Sequence, residues 1–357
     1  MTVDIHQVLV GAARGDAITN LALEIRDRLR RTAPSEIYAY HVDDAVRGDV
    51  EPLSSFPAAS RAPAMIVYHS SIGEPKVTEF LLSRREQLVL VYHNITPFEY
   101  YLGVDAHFSS LLAWGRSEIG ILRPRVDLAF ADSAFNAREL LDIGYQDPLV
   151  LPLGVRPDRL IDLPGDADAI RAIDSLAKPI VLAVGQQLPH KRFEHLIEAM
   201  HVLRLYRGRG AALVIVGRPH QERYHDSLVG LATRLMLPDV VFTGALSDAA
   251  LASYYRRAAV YVSASLHEGL GIPALEAMAF GVPVVARTAG AVGESVADGG
   301  IVLPPTAGPT HFAEALDMIL GDSALSARLA RAALQQAGTW DADAALEQFE
   351  QALLGIS

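Results

Sequence analysis

The sequence has no cysteine in its 357 residues. This absence excludes disulfide bonds, thiolate nucleophiles, cysteine-ligated zinc sites and iron–sulfur clusters. Long apolar runs are also missing, since none approaches the roughly 18 residues that a membrane-spanning helix requires. Asp4 and Asp16 stand where a signal peptide would carry basic residues. We therefore expect a cytoplasmic protein without a membrane span.

Basic residues are fewer than acidic ones, with 31 Lys and Arg against 42 Asp and Glu and a formal net charge of −11. This balance argues against nucleic acid as a partner and against broad binding to anionic lipid. Peripheral contact with the inner membrane face would have to use the arginines at positions 26, 28, 30, 31, 84 and 85. A solvated helix face is the simpler interpretation of these arginines.

Two common nucleotide-binding motifs are absent as well. The sequence has no GxxxxGK[ST] loop, which argues against an ATPase or a GTPase. It also lacks the GxGxxG fingerprint, which argues against a dinucleotide-dependent dehydrogenase.

What the sequence does contain is an alternation of short apolar runs and amphipathic segments. This alternation predicts parallel sheets that are covered by helices on both faces. The length suits two domains, and the Pro- and Gly-punctuated segment 151–157 marks the joint between them. We predict strands at residues 7–10, 36–40, 64–68, 88–92, 128–131, 180–184, 212–216, 240–243, 260–263, 283–286 and 301–303.

Ligands of such sheets bind beyond the carboxyl ends of the strands. The loop at residues 11–16 either offers backbone N–H groups to an anion or forms a tight turn that Asp16 caps. A histidine at a strand end acts as a base or hydrogen-bond donor, or is a satisfied core residue. The candidate residues at the predicted strand ends are Gly11, Gly15, Asp16, His69, His93 and Ser133 in the first half, and Gly185, Gly217 and Gly244 in the second.

Residues 265–279 are the richest stretch of the chain. Gly269 and Gly271 allow close approach of the backbone to a ligand, and Pro273 predicts a helix start whose positive end suits a phosphate. Glu268 and Glu276 lie on either side of that helix start, where each could accept hydrogen bonds from sugar hydroxyls. Alternatively, Glu276 only complements the helix dipole and Glu268 is solvated.

This stretch resembles the retaining glycosyltransferases of family 4, whose signature is two glutamates separated by seven residues, as in Glu268 and Glu276. The resemblance implies the GT-B fold, an α/β fold of two Rossmann-like domains whose parallel sheets face each other across a cleft. It implies an acceptor-side domain at 1–153, joined by a C-terminal helix at about 340–357, and a nucleotide-sugar donor domain at 154–339. The resemblance continues through residues 185–191, 214–217, 241–248, 254–258 and 277–286, and more loosely through 92–97, 131–136 and 151–155.

The resemblance also assigns roles to the donor side. Glu268 would contact the hydroxyls of the donor sugar near the reacting carbon, Glu276 would bind the ribose, and Lys191 would stabilise the diphosphate. The family usually has an arginine where this chain has Gln186, and Arg218 is our preferred replacement, ahead of Arg192 and Arg14. Backbone contacts to the donor are expected from Gly269, Leu270, Gly271 and Ile272, with Gly244, Gly11 and Gly15 as further donor-binding positions.

On the other side of the reaction, His93 would contact the donor sugar or orient the acceptor. His69 is a weaker candidate of the same kind, and Asp16 and Ser133 are further candidates for the acceptor or sugar side. No metal and no other cofactor is expected, because Lys191 and the helix dipole would stabilise the leaving diphosphate.

The implied activity is transfer of a hexose, with retention of configuration, from a nucleotide sugar to an acceptor hydroxyl. GDP-mannose is the favoured donor and UDP-glucose the next, and the acceptor is a glycan, a lipid-linked glycan or a small metabolite. Two alternatives stay open: a nucleotide-sugar epimerase of the same fold, and a non-catalytic sugar-nucleotide binding protein in which Gln186 marks the loss of activity.

Overall fold

The computed structural model describes residues 3–58 and 64–356, so residues 1–2, 59–63 and 357 of the predicted domains lie outside it. Its strands are β1 (Asp4–Ala12), β2 (Ile37–Val42), β3 (Glu51–Pro52), β4 (Ala64–Ser70), β5 (Gln87–Tyr92), β6 (Val126–Ala131), β7 (Leu149–Val150), β8 (Ile180–Val184), β9 (Ala212–Val216), β10 (Val240–Gly244), β11 (Ala258–Ser263), β12 (Val284–Arg287) and β13 (Gly300–Leu303). Its helices are α1 (Ala17–Leu29), α2 (Pro75–Ser83), α3 (Ala106–Leu122), α4 (Ala134–Ile143), α5 (Ala167–Leu176), α6 (Phe193–Arg207), α7 (Glu222–Arg234), α8 (Asp248–Arg257), α9 (Ile272–Ala279), α10 (Val292–Val296), α11 (Pro309–Gly321), α12 (Ser323–Ala337) and α13 (Ala342–Ile356).

The chain forms two compact units. Unit 1 comprises Met1–Val155 together with Asp341–Ser357, and unit 2 comprises Arg156–Trp340. The sheet of unit 1 has the strand order β3-β2-β1-β4-β5-β6-β7, and that of unit 2 has the order β10-β9-β8-β11-β12-β13. The pairings in both sheets are parallel.

Each of the eleven predicted strands coincides with an observed one within a few residues. The prediction missed β3 and β7, which have two residues each and are too short to show a pattern. It was wrong in placing Gly11 and His69 after their strands, because β1 continues to Ala12 and β4 to Ser70. Both residues are paired within the parallel sheet, Gly11 with His41 of β2 and His69 with Val91 of β5.

The core of unit 1 includes the C-terminal helix. The ring of Phe349 on α13 lies 4.7 Å from that of Phe130 on β6, centroid to centroid. Leu353 of α13 packs in the same cluster as Leu21 and Ile25 of α1. These apolar side chains recur at the three- and four-residue spacings of a helix, so burying them together accounts for the position of α13.

The core of unit 2 lies between its sheet and the helices α6, α7 and α11. Val181, Leu213 and Val262 come from the middle of the sheet and are fully or almost fully buried. Leu196 of α6 and Leu316 of α11 pack against them. No helix among the described residues has the length and the hydropathy needed to cross a membrane.

Unit 1 also buries an acid, Glu118 of α3. Its two carboxylate oxygens accept hydrogen bonds from the hydroxyls of Tyr68 and Thr78. Burial raises the pKa of Glu118 from 4.5 to about 7, although both hydroxyls act in the opposite direction. The folded state therefore binds a proton at Glu118 more tightly than the unfolded state does.

Because of this raised pKa, Glu118 should make the protein less stable as the pH rises. The contribution of the group is complete below its unfolded pKa of 4.5 and is lost as the pH passes about 7. We expect the free energy of unfolding of Glu118→Gln, relative to that of the original chain, to rise by on the order of 2–3 kcal/mol from pH 4.5 to pH 8. Urea unfolding at both pH values measures this change. The exposed Glu79→Gln on α2 is the control, and an equal difference at both pH values for Glu118→Gln would contradict the assignment.

Candidate active site

Three strand ends of unit 2 are joined by backbone hydrogen bonds. The N–H of Gly185, after β8, donates to Val216 at 2.9 Å, and the N–H of Gly217, after β9, donates to Gly244 at 2.9 Å. A Cβ atom on Gly217 would lie 2.0 Å from the carbonyl oxygen of Gly185, and its φ is +143°. Only glycine fits there, so the loops after β8 and β9 can lie side by side.

Gln187 connects the same two loops with its side chain. It is fully buried, its Nε2 donates to the carbonyl of Gly217 at 2.9 Å, and its backbone N–H donates to the carbonyl of Arg218 at 3.0 Å. Its Oε1 lies 2.8 Å from Nδ1 of His225. Sequence reasoning missed Gln187 and chose its exposed neighbour Gln186.

The structure brings Gln186 and Arg218 to neighbouring strand ends, and both side chains are exposed. Arg192 is engaged elsewhere, since its guanidinium contacts Glu194 at 3.1 Å and His195 at 2.6 Å. Between these two arginines, Arg218 is therefore the better placed to supply the cation that Gln186 lacks.

Lys191 and Glu268 form an ion pair at this edge of the sheet. Their loops are joined because the N–H of Leu266 donates to the carbonyl of His190 at 2.8 Å. Nζ of Lys191 lies 2.6 Å from Oε1 of Glu268, with both side chains largely buried. Burial, the largest single effect, raises the pKa of Glu268, but Lys191, Ser265 and His190 together outweigh it and the pKa is lowered. Glu268 is therefore ionised at neutral pH.

The backbone of Glu268 is fixed as firmly as its side chain. Its carbonyl accepts a hydrogen bond from the N–H of Ala291 at 3.0 Å. A Cβ atom on Gly290 would lie 2.1 Å from that carbonyl oxygen, and the φ of Gly290 is +56°. Glycine at this position lets the loop before α10 pack directly on the loop that carries Glu268.

The residues between the two glutamates form the turn into α9. Gly271 is the N-cap of this helix and Ile272 its first residue. Leu270 is buried and its carbonyl accepts a hydrogen bond from Ser295 at 2.5 Å, which holds the turn that also contains Gly269. Helix α9 thus begins four residues after Glu268, and its N-terminus carries the positive end of the helix dipole.

Glu276 lies in the second turn of α9 and not in its first, and it is only 3% exposed. Nε of Arg159 lies 2.8 Å from its Oε1, and the hydroxyl of Tyr255 lies 3.0 Å from its Oε2. Arg159 also contacts Asp248 at 3.0 Å. Burial raises the pKa of Glu276, against the opposing effects of Arg159 and Tyr255. Sequence reasoning missed Arg159, because no local pattern marks it as a partner of Glu276, which lies 117 residues away in the chain.

In unit 1 the structure places His69 and His93 in a chain of hydrogen bonds. Nε2 of His69 lies 2.9 Å from Oε1 of Gln7, and Nδ1 of His69 lies 2.9 Å from Nε2 of His93. Nδ1 of His93 lies 2.7 Å from Oδ2 of Asp132. The other end is anchored, since Nε2 of Gln7 donates to the carbonyl of Ala22 at 2.9 Å. We call these four side chains the histidine relay.

The anchor decides where the protons of the relay lie. Because Oε1 of Gln7 can only accept, Nε2 of His69 must donate to it. Burial lowers the pKa of His69 well below its usual value, so His69 is neutral and its Nδ1 accepts from His93. Nδ1 of His93 faces Oδ2 of Asp132, so both ring nitrogens of His93 are engaged within the relay.

A cavity of about 980 Å³ opens at the carboxyl ends of β1, β2 and β4, and we call it the unit 1 cavity. Of the predicted residues, Gly11, Asp16 and His69 line it. Asp16 is the N-cap of α1, its Oδ2 accepting from the N–H of Thr19 at 2.8 Å, and Gly15 precedes it with a φ of +79°. Gly11 and Gly15 thus belong to unit 1, whereas Glu268, Glu276 and Lys191 belong to unit 2.

Ser133 and two aspartates of the connections cap helices. Ser133 is the N-cap of α4 and its Oγ accepts from the N–H of Asn136 at 3.1 Å. Asp166 and Asp341 accept hydrogen bonds from the N–H groups of Ala169 and Ala344. In the part of the chain that the structure describes, no group of three or more His, Asp or Glu side chains could hold a metal ion.

A protein-family model matches the unit that contains this site. Residues 168–336, which make up most of unit 2, match the model of the family described as glycosyl transferases group 1. Residues 168–336 thus match the family that the spacing of Glu268 and Glu276 predicted.

Curated relatives of the chain carry glycosyltransferase names. The D-inositol 3-phosphate glycosyltransferase of Nocardia farcinica is 34% identical over 241 residues, which cover 64% of this chain and 53% of that protein. The alpha-D-kanosaminyltransferase of Streptomyces kanamyceticus is 35% identical over 155 residues, which cover 43% of this chain and 39% of that protein. The chain spans about half the length of the curated relatives it matches.

Solved structures confirm the fold class. Anabaena HepE in complex with UDP and glucose has a TM-score of 0.77 and 18% identity, covering 99% of this chain and 100% of its own. The sucrose-phosphate synthase of Thermosynechococcus elongatus has a TM-score of 0.75 and 18% identity, covering 99% of both chains. The chain thus has the α/β fold of GT-B glycosyltransferases, with two parallel-sheet units.

The histidine relay leads to a direct test with Asp132→Asn. The amide of an asparagine can donate to Nδ1 of His93, which leaves the proton of that ring on Nε2. Long-range ¹H–¹⁵N spectra should show Nε2 of His69 and Nε2 of His93 protonated in both chains, with the signal of Nδ1 of His93 changed in the variant. The exposed Asp142→Asn on α4 should leave these signals unchanged. A proton on Nδ1 of His69 in the original chain would contradict the proton arrangement.

Proposed function

We propose that this chain is a retaining glycosyltransferase that moves a hexose from a nucleotide sugar to a hydroxyl of a small polyol acceptor. The observation that carries the proposal is the buried Lys191–Glu268 ion pair, which lies at the strand ends of unit 2 next to the turn into α9. A cation there suits a diphosphate, and the adjacent ionised carboxylate suits sugar hydroxyls.

The ion pair keeps binding capacity on both partners. The ammonium of Lys191 has three N–H donors and directs one of them at Glu268, which leaves two for the oxygens of a diphosphate. Glu268 accepts from Lys191 and from the hydroxyl of Ser265, and a carboxylate with about four lone-pair sites has capacity left for the hydroxyls of the donor sugar. The pair therefore holds each charge in position before the donor binds, and no reorganisation is needed during the reaction.

Glu276 is suited to a ribose in the same way. Arg159 and Tyr255 each occupy one of its oxygens, and a carboxylate with about four lone-pair sites can accept two further hydrogen bonds. The two fixed partners orient the carboxylate, so that a vicinal diol can bind to it without loss of side-chain entropy.

In the proposed reaction the acceptor hydroxyl attacks the anomeric carbon from the face that the diphosphate leaves. The bond between the anomeric carbon and the phosphate oxygen breaks, the new glycosidic bond forms, and the leaving phosphate takes the proton of the hydroxyl. Lys191 would stabilise the negative charge that develops on the bridging oxygen, with the N-terminus of α9 and Arg218 as further positive groups. We propose that the reaction needs no metal ion.

The donor follows from two lines of support. The resemblance through residues 92–97 favours GDP-mannose, which we propose first. UDP-glucose is the second candidate, because Anabaena HepE, which shares the fold, was crystallised with UDP-glucose. For the acceptor we propose a small polyol bound in the unit 1 cavity, since several relatives are named for D-inositol 3-phosphate.

Calorimetric titration with GDP, UDP and ADP, with and without EDTA, tests the donor site. We expect one base to bind tightly, with the same affinity in EDTA. Glu276→Gln should weaken that binding by about tenfold or more, because the ribose loses a charge-assisted acceptor. The exposed Glu222→Gln on α7 is the matched control. Unchanged affinity in Glu276→Gln would rule out the ribose role, and no binding of any nucleotide would overturn the proposed function.

Turnover tests the role of Lys191. We expect Lys191→Gln to lower kcat by about 10²–10³-fold, since a neutral amide stabilises the leaving diphosphate far less. Lys178→Gln is a matched control, because Lys178 also forms an ion pair, with Asp239, but lies before β8 at the opposite end of the strand. Near-normal turnover in Lys191→Gln would assign the charge stabilisation to another residue.

A further inference from the structure

The unit 1 cavity lies where ligands bind in open parallel sheets. The strand order of unit 1 runs outward from β1 to β2 and β3 on one side and from β1 to β4 and β5 on the other. The cavity is formed by the loops that leave β1, β2 and β4, on both sides of this reversal. Its volume of about 980 Å³ is ample for a monosaccharide or a cyclitol.

Acidic side chains outnumber Arg and Lys in the lining of the unit 1 cavity. Asp16, Asp43 and Glu51 supply three carboxylates, and Arg47 is the single arginine or lysine among the described lining residues. Nε of Arg47 already contacts Asp44 at 2.8 Å. A phosphate group in this cavity would therefore meet carboxylates without an unengaged cation to balance them.

Two histidines, His41 and His69, also line the cavity. His69 is buried and neutral, and the histidine relay uses both of its nitrogens. His93 and Asp132, at the other end of the relay, are not part of the lining. His69 therefore adds no positive charge to the cavity.

Two of the carboxylates are held in fixed positions by the backbone. Oδ2 of Asp16 accepts from the N–H of Thr19 at 2.8 Å, and Oδ1 of Asp43 accepts from the N–H of Ala45 at 2.8 Å. Each cap uses one oxygen and leaves the other for a ligand. Carboxylates fixed in this way are good acceptors for hydroxyl and ammonium groups and pay little entropy on binding.

We propose that the acceptor in the unit 1 cavity is a polyhydroxylated ring without a phosphate or other anionic group, and that amino substituents strengthen its binding. This inference rests on the proposed function and narrows its acceptor. It separates the chain from the relatives that are named for D-inositol 3-phosphate, although the donor-side domain is shared with them.

The test is calorimetric titration of the full chain, saturated with the nucleoside diphosphate that it binds, with three cyclitols of similar size. Streptamine carries two amino groups, myo-inositol is neutral, and D-inositol 3-phosphate is anionic. We expect streptamine to bind about threefold or more tighter than myo-inositol, and D-inositol 3-phosphate about tenfold or more weaker. The differences should shrink in 0.5 M salt, because the carboxylates are exposed.

Variants link the order of affinities to the cavity. Asp16→Asn with Asp43→Asn removes two charges and keeps both helix caps, since asparagine caps as well as aspartate does. In this double variant the three affinities should converge. Asp142→Asn on α4, outside the lining, should leave the order unchanged.

Each other outcome overturns the inference. Preference for D-inositol 3-phosphate, equal affinities, or no binding of any of the three would show that the cavity does not select an uncharged or cationic polyol. These results are distinct from a failure of the proposed function, which shows itself beforehand as the absence of nucleotide binding.

Discussion

The backbone contact between Gly185 and Gly217 is the constraint on which the site in unit 2 depends. Because neither residue has a side chain in the way, the loops after β8 and β9 lie in direct contact, and Gln187 fastens them together. The β8 loop continues to Lys191, whose ammonium is thereby delivered to Glu268. Any larger residue at position 217 would separate the loops and displace a charge that is useful only at hydrogen-bond distance.

The pKa values of Glu268 and Glu276 are shifted in opposite directions by their surroundings. Lys191, Ser265 and His190 together outweigh the burial of Glu268 and lower its pKa, whereas Arg159 and Tyr255 do not fully offset the burial of Glu276. The pKa of Glu276 is raised although Arg159 is close, since Arg159 divides its charge between Glu276 and the exposed Asp248. Environment, and not residue type, distinguishes the two glutamates of the signature.

The sequence predicted the strands well because their apolar runs are local signals, and residues 265–279 indicated the family because their spacing is local too. Arg159 could not be found in this way, since it meets Glu276 only through tertiary structure. The histidine relay was missed for the same reason, although His69 and His93 were both candidates. The 11–16 loop allowed two interpretations, and the hydrogen bonds of Asp16 show that it caps α1, which its residue type alone could not decide.

Helix α13 makes the completion of unit 1 wait for the synthesis of unit 2. Phe130 and the apolar face of α1 pack against Phe349 and Leu353, which leave the ribosome only after the whole of unit 2. At about 5–20 residues per second, the core of unit 1 waits on the order of 10–40 s for this helix. During that interval unit 2 can complete its own fold, while the nascent unit 1 still exposes the apolar surface that α13 later covers.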